Sequence, residues 1–158
     1  GGRTMDIPEH PAIRYAGFVS EEDKWGALAG AELLIMPSEL ESLSMVTLEA
    51  WSMGKPVLVN GRCEVLRGQC RRSNAGLYFT SYDEFREALA LLEKEPSLRE
   101  ALGRNGNRYY RDHYRWEVID AKYDRLLAGL LLEDRARLGN LPIERPKGLF
   151  ARWSRHAG

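Results

Sequence analysis

Glu41 and Glu49 are separated by seven residues, one in a polar loop and the other inside a short helix that the loop introduces. A carboxylate accepts hydrogen bonds from a vicinal diol through both of its oxygens. The helix start between them, at Ser44–Val46, offers N–H groups without helical partners and a positive dipole end to an anion. Acid, loop, helix start and acid together form a workable cradle for a molecule that carries both hydroxyls and a diphosphate. A plainer reading stands beside this for each acid. Glu41, close to Glu39, can be simply solvated. Glu49 lies among Leu48, Ala50 and Trp51 and needs a partner once buried, which a ligand hydroxyl or a structural ion pair would supply equally well.

The elements around this segment must position it. An apolar run, Leu33–Met36, enters the loop Pro37–Ser44. Ser44 is the expected N-cap of a helix over Met45–Met53, and Gly54 suits its C′ position. Val57–Val59 is a second buried strand, and Gly76–Phe79 a third. Upstream, Ile13–Val19 mixes β-branched, aromatic and small residues and reads as a strand. Ser20, with Asp23 as capping-box partner, then starts a helix to about Gly30. Downstream, Ser81 and Glu84 cap a helix to about Lys94. Pro96 opens the next, which ends near His113. Trp116 to about Leu138 is a long helix with Trp116, Ile119, Tyr123, Leu127 and Leu130 on one stripe. Cys63 and Cys70 sit in one loop-like region. Residues 1–139 form one α/β domain with C-terminal helices, and 140–158 are expected to be a flexible basic tail, whose Phe150 and Trp153 are candidates for peripheral membrane contact. Strand and helix in alternation predict a parallel sheet with helices on both faces. Ligands of such sheets bind beyond the carboxyl ends of the strands. Three loops leave those ends: Val19–Ser20, Pro37–Ser44 and Asn60–Arg62.

Bulk properties narrow the function classes. The chain has 158 residues, enough for a real core, and a formal net charge of zero, which argues against nucleic acid as partner. No apolar run is long enough to cross a bilayer. Cys63 and Cys70 show no metal-ligand spacing and read as reduced thiols, with a local disulfide as the alternative. His10, His113 and His156 are scattered.

The segment from Pro37 to Val57 resembles the Glu-x7-Glu region of group 1 (family 4) glycosyltransferases of the GT-B fold. That pattern runs Pro-Ser-x-x-Glu-Gly-Phe-Gly, four residues, Glu-Ala, then Gly-x-Pro-Val. Pro37, Ser38, Glu41, Glu49, Ala50, Gly54, Pro56 and Val57 match it in register. Ile13–Ser20, Cys63–Leu66 and Asn74–Phe79 resemble flanking parts, so the likeness covers roughly residues 10–130. It implies the GT-B C-terminal domain, a Rossmann-like parallel sheet. Glu49 would bind the ribose hydroxyls, and Glu41 a hydroxyl of the transferred sugar at the reacting centre. Backbone N–H groups of Ser42, Leu43 and Ser44 would meet the sugar and diphosphate, with Val19 and Ser20 near the base. The implied donor is a nucleoside-diphosphate sugar, and the acceptor a sugar or lipid-linked hydroxyl. Transfer would proceed with retention and no metal or other cofactor, and the chain contains no Asp-x-Asp. A cytoplasmic setting, peripheral to the inner face of a membrane, in cell-envelope polysaccharide or glycolipid synthesis would be a common context.

Two departures qualify the likeness. Ser42-Leu43-Ser44 replaces Gly-Phe-Gly, so side chains crowd a backbone that glycine leaves open. The family's first two strands, their loop with an Arg and a Lys for the diphosphate, and the N-terminal acceptor domain have no counterpart here. Arg62, Arg71 and Arg72 are the nearest alternative cations. The expectation is that these residues alone do not transfer sugar and that the sheet shows a gap or a rearranged pairing. Two other assignments stay open: a GT-B nucleotide-sugar epimerase or phosphorylase-like enzyme, and a non-catalytic nucleotide-sugar-binding module.

Overall fold

The computed structural model describes residues 5–138, with side chains to residue 130. Its elements, in order, are α1 (Glu21–Gly30), β1 (Leu34–Met36), α2 (Met45–Ser52), β2 (Val57–Asn60), α3 (Glu64–Ser73), β3 (Gly76–Phe79), α4 (Tyr82–Lys94), α5 (Pro96–His113) and α6 (Trp116–Leu138). The strands form one parallel sheet in the order β1-β2-β3, with Leu34 opposite Val57 and Val57 opposite Gly76. Alternation along β2 sorts the two layers. Val57 and Val59 face a core built with Leu28 of α1, Leu48, Ala50 and Trp51 of α2, and Leu66 and Cys70 of α3. Leu58 faces the other way, onto Leu92 of α4 and Leu102 of α5. All four residues of β2 are buried, as a central parallel strand between two helical layers requires.

Local capping works as the sequence predicts at α1 and α4, whereas α5 starts at Pro96 without a side-chain cap. Asp23 N donates to Ser20 Oγ at 3.0 Å, and Ser20 Oγ donates back to Asp23 Oδ2 at 2.7 Å. Glu84 N donates to Ser81 Oγ at 3.2 Å. The Glu84 carboxylate in turn takes bonds from Thr80 N and Oγ1, which hold its pKa below the usual carboxylate range. Pro96 occupies the first turn of α5, where its missing N–H costs nothing. α5 approaches α2 closely because it carries glycine where they meet. A Cβ on Gly103 would sit 1.9 Å from Gly54 O, and one on Gly106 would sit 2.3 Å from Trp51 Cδ1.

Two sequence expectations are corrected. Ile13–Val19 is not a strand: no β-ladder includes it, and Gly17 bends the run at φ 66°. A strand exists only where a neighbour completes its ladder, and β1, the edge of this sheet, has β2 as its sole strand neighbour among the described residues. Ile13, Tyr15, Phe18 and Val19 are all exposed. The region of Cys63 and Cys70, expected to be loop-like, forms α3 over Glu64–Ser73, with Cys63 at its N-cap position. Gly68 and four charged side chains obscure the helix, yet Leu66, Cys70 and Ser73 are buried at helical spacing.

Both cysteines are buried and free. Burial pushes the Cys70 thiol from its ordinary 9.0 up to about 12. Since the folded value lies above the unfolded one, the stability this thiol contributes is fully present below about pH 9 and is lost as the pH rises from there toward about 12. Labelling with a thiol reagent at about pH 8 is therefore expected to follow unfolding of the chain. Rapid stoichiometric modification of Cys70 in the folded protein would contradict this.

The chain divides into two units, 1–115 and 116–158. In the second, α6 is a single helix on which Trp116, Tyr123, Leu126, Leu127 and Leu130 are each at least half exposed. The expected tail, 140–158, lies outside the described residues. No described helix is long and apolar enough to cross a membrane.

Candidate functional site

The loop from Pro37 to Ser44 leaves the carboxyl end of β1 and is held at both ends by amide side chains. Asn60, at the end of β2, donates from Nδ2 to Pro37 O at 3.0 Å, while its Oδ1 accepts Arg62 N at 2.9 Å. Gln69, on the buried face of α3, donates from Nε2 to Leu43 O at 2.8 Å. Between these anchors Ser38 Oγ closes a local turn by donating to Leu40 O at 3.0 Å. Glu41 is half-buried in this pinned loop. Neither anchoring residue is part of the acidic motif. For Gln69 the available signal was a polar residue between Leu66 and Cys70 on what proves to be a helix face.

Ser44 takes the place of the pattern's second glycine and adopts a backbone conformation that favours glycine. Its φ of 58° and ψ of 79° lie in the left-handed region, at a cost of order 1–2 kcal/mol for a residue with a Cβ. Its hydroxyl does not cap α2 as expected. It is buried and bonds Thr47 Oγ1 at 3.0 Å. The backbone thus keeps its turn into α2 although both glycines are replaced. Ser42 is exposed, and Leu43 packs against the core.

Glu49 lies one turn into α2, with its side chain 19% exposed. Its Oε1 accepts Lys24 Nζ of α1 at 3.0 Å. Lys24 is also 2.8 Å from Glu21 Oε2. Hydrogen bonds that the ammonium donates to Glu21 first, and to Glu49 second, raise it above its ordinary pKa. The ion pair considered for Glu49 from sequence is therefore present, and it ties α1 to α2. Ser20 is the N-cap of α1 and Val19 precedes it, so these two residues enter the helix whose Lys24 reaches Glu49. The Ser20 hydroxyl is occupied by its cap. Glu49 is thereby linked to the Val19–Ser20 corner. No hydrogen bond joins Glu41 to Glu49.

Of the three arginines considered as cations, Arg62 pairs with Glu39 at 3.5 Å and Arg72 donates to Tyr109 Oη at 3.3 Å. Arg71 is exposed in the last turn of α3. A concavity of about 510 Å³ opens at the carboxyl ends of the strands, lined by Ile35, Pro37, Asn60, Phe79 and Thr80 together with the Glu39–Arg62 pair. It shares the Pro37–Ser44 loop through Pro37 and Glu39, and not through Glu41 or Glu49. A larger one, about 850 Å³, lies at the C-terminal end of α2 beside Arg104, Arg108, Arg111 and Arg115. That end adjoins the start of β2, so it is remote from the strand ends where α/β sheets bind ligands. Among the described residues no group of three or more His, Cys, Asp or Glu could hold a metal ion.

An open parallel sheet between helical layers, with an acid-bearing loop and helix at the carboxyl end of its edge strand, defines a Rossmann-like domain of the GT-B type. The model of the family "Glycosyl transferases group 1" matches residues 10–109, and the chain belongs to that family. The fold is similar to that of sucrose-phosphate synthase from Thermosynechococcus elongatus, with a TM-score of 0.67 and 21% identity. The match covers 76% of this chain and 30% of that one, so this chain spans less than a third of the length of that enzyme. No curated protein matches the sequence.

Proposed function

We propose that this chain is the donor-binding part of a glycosyltransferase that moves a sugar from a nucleoside-diphosphate sugar to an acceptor hydroxyl with retention. The observation that carries the reading is Glu49, on α2 and held by Lys24, with its side chain 19% exposed, at the position of the family's second acid. Glu49 accepts the ribose hydroxyls through its carboxylate. Val19 and Ser20, at the head of α1, lie against the base. The amides of Ser42, Leu43 and Ser44 meet the sugar and diphosphate, and Glu41 holds a hydroxyl of the transferred sugar. In the transfer the bond from the anomeric carbon to the phosphate oxygen breaks, and the acceptor oxygen bonds that carbon on the same face. The acceptor's proton passes to the departing phosphate oxygen. No protein nucleophile and no metal is required. The acceptor is a sugar or lipid-linked hydroxyl, in cell-envelope polysaccharide or glycolipid synthesis at the inner face of a membrane.

Backbone-resolved NMR titration tests the site. Uridine, guanosine and adenosine diphosphates are added in turn to the isotopically labelled chain. At least one is expected to shift the amides of Val19, Ser20, residues 41–44 and Glu49 together. Shifts confined to the arginine groove of α5, or none with any of the three, would remove the donor-site reading.

A further inference from the structure

Lys24 is outside the acidic motif, yet it is the residue that holds Glu49. Its ammonium is located from three directions: Glu49 Oε1 at 3.0 Å, Glu21 Oε2 at 2.8 Å, and the Trp25 ring, whose centroid is 5.2 Å away. Glu21 and Trp25 belong to α1 itself, so the cation's position is set by its own helix before it reaches across to α2. A glutamate carboxylate otherwise turns broadly about its terminal torsion. Recognition of a vicinal diol needs the carboxylate plane aligned with both hydroxyls, which is where a fixed partner on one oxygen matters. Oε2 of Glu49 accepts no hydrogen bond from the described residues, and Oε1 keeps a second lone pair.

We propose that Lys24 is a positioning residue of the donor site, holding the Glu49 carboxylate by Oε1 in the orientation that receives the ribose diol. The proposal rests on the donor-site reading above. It also gives α1 a role beyond packing. The helix that starts at the base corner, Val19–Ser20, carries the cation that aligns the ribose carboxylate on α2, so α1 links the base corner to the ribose contact. Lys24 is 30% exposed on its side chain, and a pair so placed stabilises a fold little. Its effect is therefore on ligand geometry.

The readout is the preference for ribonucleotide over 2′-deoxyribonucleotide, which a purely structural brace would not move. Each of uridine, guanosine and adenosine diphosphate is titrated beside its 2′-deoxy form by NMR, against wild type, Lys24→Met, Lys24→Arg and Glu49→Gln, with thermal unfolding recorded for each. Wild type is expected to prefer the ribonucleotide about tenfold, the worth of one hydrogen bond to a charged group. Lys24→Met is expected to reduce that preference to about twofold, with its unfolding temperature unchanged, as the carboxylate loses its orientation but not its acceptors. Lys24→Arg, which keeps a cation on Oε1, is expected to retain most of it. An unchanged preference in Lys24→Met, while Glu49→Gln abolishes it, would overturn the positioning role and leave the donor site standing. Equal weakening of both nucleotides in Lys24→Met, with a lower unfolding temperature, would overturn it too, in favour of a brace. An unchanged preference in Glu49→Gln, or no binding by wild type, would remove the donor-site reading and this inference with it.

Discussion

Trp51→Ala is expected to cost about 3–5 kcal/mol of folding stability, the range for truncating a buried large aromatic. Trp51 is fully buried, and it is the joint at which α2, β3 and α5 meet. Its Nε1 donates to Ala75 O at 3.1 Å, at the entry to β3, and its ring stands edge-on to Tyr109 at 5.7 Å. Truncation leaves a cavity and removes the shorter of the two hydrogen bonds to Ala75 O, which keeps only Val57 N at 3.4 Å. Gly106 approaches the ring so closely that no other residue fits without displacing it, so α5 has no side chain there to close the gap. Set against a typical total of about 5–15 kcal/mol, a loss of that size leaves the domain marginal or unfolded. Urea unfolding followed by tryptophan fluorescence and circular dichroism checks it. A loss below about 1 kcal/mol would show that the site collapses around the smaller side chain. Trp51 lies two residues beyond Glu49 on the same short helix, so this packing also fixes where the acid stands.

Glu49→Ala is expected to weaken binding of the nucleoside diphosphate by about 1.5–3 kcal/mol, the worth of hydrogen bonds to a charged group. That is roughly ten- to a hundredfold in dissociation constant. The fold should survive the change. Alanine is the best helix former, and a partly exposed ion pair contributes little to folding stability. Lys24 retains Glu21 as partner. Calorimetric or NMR titration of the variant decides the matter. Unchanged affinity with reduced stability would return Glu49 to the role of an ion-pair partner for Lys24.

Much of this domain is set by short-range patterns. Short apolar runs mark the three strands, but only the central β2 is buried on both faces as such a run implies, while Ile35 of β1 and Tyr78 of β3 are exposed. Ser20, Ser81 and Pro96 start their helices through bonds, or a missing donor, within a few residues of themselves. The register of Glu41 and Glu49 with a loop and a helix is equally local, which is why the family was legible in the sequence. Contacts across the chain were not. Lys24 meets Glu49 across 25 residues, Asn60 meets Pro37 across 23, and Gln69 meets Leu43 across 26. Each depends on the order of the strands and on which helix faces which, and neither is encoded in the spacing of any one segment. Ser44 shows the same limit from the other side. A serine before a helix predicts a side-chain cap, yet at the end of the loop pinned by Asn60 and Gln69 it lies in the left-handed region with its hydroxyl on Thr47. At Ile13–Val19, β-forming residues remain outside the sheet because propensity cannot supply the neighbouring strand that a ladder needs. The sequence by itself determined the class of the domain and the acids it carries. Tertiary structure alone decided how the loop is pinned and what holds Glu49, because those are distances between side chains that only the packed sheet brings together.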